Sequence, residues 1–155
     1  MAILAILCYL QKDGKTLMIQ SQKKGHFKEG YWNGLGGKLK SGETPEECVI
    51  REMKEESGLT VSHPRIAGIL LFPAQNGDDW YVFVYTAWRY TGRVRSSSEG
   101  LVKWILNSNL PALQMAEGDY IFLPWIKKDM FFSAKFLYVK GKLTAHSVTF
   151  PILNS

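Results

Sequence analysis

The chain opens on a nearly unbroken apolar run, Ala2–Leu10, which reads as a buried strand. Asp13-Gly14 is a hairpin signal, and Thr16–Ser21 reads as the returning strand. Residues 22–37 interrupt the pattern with glycines, lysines and aromatics and read as a loop. From Thr44 to Ser57 the apolar residues Val49, Ile50 and Met53 share one arc of a predicted helix. Arg65–Phe72 and Tyr81–Tyr90, rich in branched and aromatic residues, flank the turn Gln75-Asn76-Gly77-Asp78-Asp79 and read as an antiparallel pair. A polar loop, Arg93–Gly100, precedes a short strand, Leu101–Ile105, and residues 107–118 read as loop. Tyr120–Lys128 is predicted as a second helix, and Phe131–Val139 with Lys142–Phe150 as a hairpin about Lys140-Gly141. Repeats, linkers and low-complexity tracts are absent from the sequence. Strands with two intervening helices predict a single α/β layered domain over residues 1–155.

The first helix carries its own boundaries. Thr44 suits the N-cap, Pro45 the first helical position, and Glu47, three residues on, completes a capping box. Gly58 suits a left-handed stop. At about 100° per residue, Glu52 and Glu56 lie about 40° apart, and Glu55 about 60° to the other side of Glu52. Such like charges weaken a helix. They are the oxygen ligands that Mg²⁺ or Mn²⁺ prefers. The plain alternative is a solvated acidic face, partly neutralised by Arg51 and Lys54.

Residues 37–59 fill a longer pattern, Gly-x5-Glu-x7-Arg-Glu-apolar-x-Glu-Glu-x-Gly-apolar, through Gly37, Glu43, Arg51, Glu52, Met53, Glu55, Glu56, Gly58 and Leu59. This resembles the Nudix box. The resemblance implies an α/β/α sandwich around a central mixed sheet, divalent metal held by Glu52, Glu55 and Glu56, and hydrolysis of a nucleoside diphosphate linked to another group. It also implies a Gly36 carbonyl toward the metal, Arg51 orienting a glutamate, and Glu43 steadying the loop–helix junction. Lys23-Lys24-Gly25-His26-Phe27 and Tyr31-Trp32-Asn33-Gly34-Leu35-Gly36-Gly37-Lys38 resemble the MutT-type branch, which removes oxidised purine nucleoside triphosphates. By that resemblance Lys23, Phe27 and Asn33 line a base pocket, and Glu99 joins the metal site or helps deprotonate water. Asn33 can donate and accept along a purine edge, although Asn33-Gly34 alone also reads as a tight turn. Phe72 reads as pocket wall or core. Asp119 reads as a base-reading acid or as the cap of the second helix. The animal enzymes of that branch have Trp-Pro-Asp-Asp at this point, whereas this chain has Ala116-Glu117-Gly118-Asp119. The expected reaction is hydrolysis of 8-oxo-dGTP to the monophosphate and pyrophosphate, a sanitation of the nucleotide pool allied to DNA repair. ADP-ribose, dinucleoside polyphosphates and ordinary nucleoside triphosphates are the alternative substrates, with Pro73 a hint toward ADP-ribose. A non-catalytic nucleotide or RNA sensor is the alternative class.

Composition narrows this further. Hydrophobic residues make up 46% and charged residues 21% of 155, which suits one globular domain with a core. Five Trp, seven Tyr and eight Phe suit a pocket that holds a base. The net charge of +5 favours anionic partners, but Lys and Arg are spread along the chain, so nucleotide steering is expected and no stable nucleic-acid partner. Lys38 and Lys40 stand near the acidic helix in sequence and could meet phosphates. Cys8 and Cys48 lack metal-ligand spacing and read as reduced, packed thiols of a cytoplasmic protein, monomer or homodimer. His26, His63 and His146 show no metal spacing either. The Met1–Leu10 run is too short to span a bilayer, and no membrane association is expected.

Overall fold

The computed structural model describes residues 1–22 and 29–151. The apolar opening run is strand β1 (Ala2–Lys12). Its alternation divides the core, with Ile6, Cys8 and Leu10 in one cluster and Ala5 and Tyr9 in the other. β1 runs parallel to β7 (Asp78–Ala87), from Ala2 opposite Asp79 to Leu10 opposite Ala87. It is antiparallel to β2 (Lys15–Ser21) and to β4 (Leu35–Lys38). On the far side, β6 (Arg65–Gln75) is antiparallel to β7, β10 (Phe132–Val139) is parallel to β6, and β11 (Lys142–Thr149) closes the edge. β3 (Trp32–Asn33) and β9 (Gly100–Leu106) pair with β2, completing a nine-stranded mixed sheet.

Each face of the sheet takes one helix. α1 (Pro45–Ser57) adds Cys48, Val49 and Met53 to the first cluster. α2 (Asp119–Lys127) adds Phe122 to the second, beside Phe132 and Phe136. Full burial of each large apolar side chain stabilises the fold by about 1.5–3 kcal/mol. The result is the expected α/β/α sandwich about a mixed sheet. The caps of α1 form as expected: Thr44 Oγ1 accepts the Glu47 N–H at 3.1 Å, and Glu47 Oε1 accepts the Thr44 N–H at 2.9 Å. Gly58 closes the helix at φ 81°.

Four local expectations change. The glycine-rich loop holds β3 and β4, whose partners lie on β2 and β1. The stretch expected as one strand to Tyr90 breaks at the half-exposed Trp88, and β8 (Arg89–Thr91) pairs instead with β5 (Thr60–Ser62) in a separate ribbon. Residues 107–112 form a 3-10 turn rather than loop. Asp119 is not the cap of α2 but its first residue. The capping position belongs to Gly118, whose N–H donates to the Tyr138 hydroxyl at 2.6 Å, so a tertiary contact replaces the side-chain cap. Among the described residues no helix is long and apolar enough to cross a membrane.

Candidate active site on the acidic helix

The edge of α1 rests on backbone. A Cβ on Gly37 would lie 2.6 Å from the Glu52 carboxylate, and one on Gly36 would lie 2.0 Å from the Ile6 carbonyl oxygen. Neither position accepts a side chain without displacing what it touches: Gly37 makes room for the Glu52 carboxylate, and Gly36 for the backbone of β1.

Arg51 organises that edge. Its Nε and Nη2 donate to the two oxygens of Glu43 at 2.6 and 2.9 Å, a bidentate pairing. Nη1 donates to Glu52 at 2.8 Å and to Glu55 at 3.3 Å, and Nη2 also donates to the Lys38 carbonyl at 3.1 Å. One guanidinium therefore ties the loop before the helix to the helix itself. Hydrogen bonds from Arg51 first, and from the Lys40 N–H second, hold the Glu43 carboxyl down to about 2.

Glu56 is in a different environment. It is 5% exposed, and its Oε1 accepts the Gly36 N–H at 2.8 Å. Burial pushes its carboxyl up to about 8, assisted by the charges of Glu52, Glu99 and Glu55 and opposed by the Gly36 hydrogen bond. Burial also raises the Glu52 carboxyl, against the pull of Arg51. Glu55 keeps 53% of its side chain exposed. Glu99, exposed in the loop before β9, lies close enough for its charge to bear on both Glu52 and Glu56.

The donor set is all oxygen, which suits a hard divalent cation. A buried acid with no cation paired to it among the described residues, Glu56, and the glycine cradle under Glu52 both fit such an ion. As placed, no three acidic, Cys or His side chains among the described residues converge on one point. Glu52 and Glu55 turn to Arg51, while Glu56 turns to Gly36. Lys38 also turns aside, with its Nζ over the Trp80 ring at 5.2 Å from the centroid.

Of the remaining candidates, Phe72 and Asp119 lie on the other face of the sheet, whereas Asn33 pairs with Ile19 of the α1-side cluster at the sheet edge. Asn33 is half-buried on β3, opposite Ile19. Phe72 on β6 stacks on Phe136 with centroids 6.1 Å apart and lies 6.0 Å from Tyr138. Asp119 is buried at the start of α2. Lys23 and Phe27 fall on residues 23–28 and lie outside the described residues. Tyr9 joins this group although nothing in its sequence context singles it out. Its ring packs under Gly34, where a Cβ would approach within 2.8 Å. Its buried hydroxyl has no hydrogen-bond partner of good geometry among the described residues. Burial, then the charge of Asp119, raises its pKa. Tyr9 therefore stands between the Asn33-Gly34 segment and Asp119. The one signal in the sequence was a polar-tipped ring at an inward-facing position of an apolar strand.

Comparison with known proteins agrees with this geometry. The model of the NUDIX domain matches residues 1–126. The Bacillus subtilis protein named uncharacterized Nudix hydrolase YvcI is 36% identical over 126 residues, covering 78% of this chain and 77% of its own. The oxidized purine nucleoside triphosphate hydrolase of Danio rerio is 34% identical over 122 residues, covering 78% and 77%. The crystal structure of the MutT protein from Bacillus halodurans superposes with a TM-score of 0.83 at 27% identity, covering 94% of this chain and 97% of that one. The chain belongs to the Nudix hydrolase family, enzymes that cut phosphoanhydride bonds in nucleotide substrates with divalent metal.

Proposed function

We propose that the protein is a nucleoside triphosphate pyrophosphohydrolase that acts on oxidised purine nucleotides such as 8-oxo-dGTP, releasing the monophosphate and pyrophosphate. The observation that carries the chemistry is the Arg51-organised edge of Glu52, Glu55 and Glu56 seated on Gly36-Gly37, with the charge of Glu99 beside it. Support for the base comes from Asn33 at the sheet edge, from Phe72, Tyr9 and Asp119 on the other face, and from the name of the Danio rerio relative.

Glu52, Glu55 and Glu56, with the Gly36 carbonyl and Glu99, would hold Mg²⁺ or Mn²⁺. When bound, the ion neutralises phosphate charge and lowers the pKa of a coordinated water. Arg51, fixed by Glu43 and the Lys38 carbonyl, orients Glu52 and Glu55. Glu56 is buried and bound to Gly36, which suits a holding role. Glu55 is the more exposed and is placed to take the proton of the attacking water. The water oxygen bonds to phosphorus, the bridging P–O bond breaks, and pyrophosphate leaves with the electron pair. Asn33 reads the purine edge, Phe72 supplies an apolar wall, and Asp119 pairs with a ring N–H. Where the animal enzymes of the MutT-type branch have a second acid, this chain has Gly118, which leaves base reading to Asp119.

The test is pyrophosphate release by the purified protein with Mg²⁺ and a panel of 8-oxo-dGTP, dGTP, ADP-ribose and a dinucleoside polyphosphate. The expected result is preference for 8-oxo-dGTP, weakened by Asn33→Ala chiefly through KM. Turnover of ADP-ribose alone would overturn the substrate, and turnover of nothing would overturn the activity.

A further inference from the structure

A large cavity among the described residues is remote from the acidic edge. It encloses about 1450 Å³ where β1 and β7 end and β6 begins, covered by α2 and the 3-10 turn of residues 107–112. None of the box residues line it, nor do Asn33, Phe72 or Asp119. Its mouth concentrates exposed apolar surface: Ile66, Trp88, Tyr120 and Met130 are four of the eleven large hydrophobic side chains exposed among the described residues. Apolar surface gathered in one hollow, unlike apolar residues scattered singly, suits a ligand-binding groove.

Charge at the rim narrows what covers it. Arg65 pairs with Asp129 at 3.3 Å, which neutralises both. Lys127 and Lys128, also in the wall, form no ion pair among the described residues. The rim therefore keeps two positive charges beside an apolar hollow of ligand size. A second copy of a chain of net charge +5 would meet that rim with like charge. We propose that this cavity is a second small-molecule site for an amphipathic anion. Its apolar body packs on Trp88, Ile66 and Leu123, and its carboxylate, sulfonate or phosphate meets Lys127 and Lys128. Tyr9 forms part of the same wall, whereas Asp119 does not line the cavity.

The test uses the full chain and the fluorescent anion 1-anilinonaphthalene-8-sulfonate, with N-phenyl-1-naphthylamine as its uncharged analogue. The expected result is saturable binding of one equivalent that excess nucleotide with Mg²⁺ does not displace. Lys127→Glu with Lys128→Glu should weaken the anion at least tenfold, leave the uncharged probe bound, and leave nucleotide turnover and thermal melting unchanged. Trp88→Ala should weaken both probes. Absence of saturable binding, displacement by nucleotide, or indifference to both variants overturns the proposal. Binding that emerges only after deletion of residues 152–155 also overturns it, because the site would then belong to the end of the chain.

Discussion

Replacing Glu56 with Gln separates what the fold wants from what the chemistry wants. In the absence of metal the Glu56 carboxyl titrates near 8 rather than at its ordinary 4.5, because burial disfavours the charge. A carboxyl raised on folding contributes stability that is complete below pH 4.5 and is lost as pH rises to 8. At about 1.4 kcal/mol per pH unit, the loss across that interval reaches about 5 kcal/mol. Gln has no proton to lose, and its oxygen can still accept the Gly36 N–H now bound at 2.8 Å. Urea unfolding followed by circular dichroism in EDTA at pH 5, 6.5 and 8 should show E56Q close to the parent at pH 5. The variant should then be increasingly more stable, by up to about 5 kcal/mol at pH 8. Subtracting the two curves removes other groups, including Glu52, whose raised carboxyl moves stability in the same direction. Saturating Mg²⁺ should put the parent ahead at pH 5 and roughly halve its deficit at pH 8, since ligand at a hundred times its Kd stabilises the parent by about 2.7 kcal/mol and the variant lacks a donor. A difference in EDTA that stays flat from pH 5 to 8 would refute the buried-charge account of Glu56. Equal stabilisation of both proteins by Mg²⁺ would remove Glu56 from the metal site.

Four further outcomes follow from the same geometry. Glu55→Gln should cut pyrophosphate release by about 10²–10⁴ without lowering the melting temperature, because that side chain is 53% exposed. Gly37→Ala should lower turnover by about 10² while costing little stability, since the new Cβ displaces only the end of the Glu52 side chain; unchanged turnover would refute the cradle. Tyr85→Phe removes the hydrogen bond from the Tyr85 hydroxyl to Glu46, and should cost about 1 kcal/mol in urea unfolding with kcat/KM unchanged. Glu43→Gln should destabilise the fold fully above pH 4.5. The gap from the parent should close as pH falls from 4.5 toward 2, where the parent's own carboxyl protonates, as read by acid titration of the far-ultraviolet signal.

What could be read in advance divides along locality. α1 was legible to its ends because Thr44, Pro45, Glu47 and Gly58 act within a few residues of themselves. The ladder that places the helix was not. β1 and β7 pair in parallel across more than seventy residues, and β4 pairs with β1 across about thirty. The same division runs through the site. The three carboxylates of α1 look equivalent on a helical projection, but the glycine pair of β4 makes them unequal: Glu56 is buried on the Gly36 amide, while Glu55 reaches solvent. Tyr138 likewise takes the Gly118 N–H from a distant strand, which moves Asp119 from a capping position into the buried face beside Tyr9. The proposed base specificity therefore rests on residues of β1, β3, β6 and α2, which lie far apart in the chain. A reading confined to residues 37–59 can identify the bond that breaks and remain silent on the nucleotide that carries it.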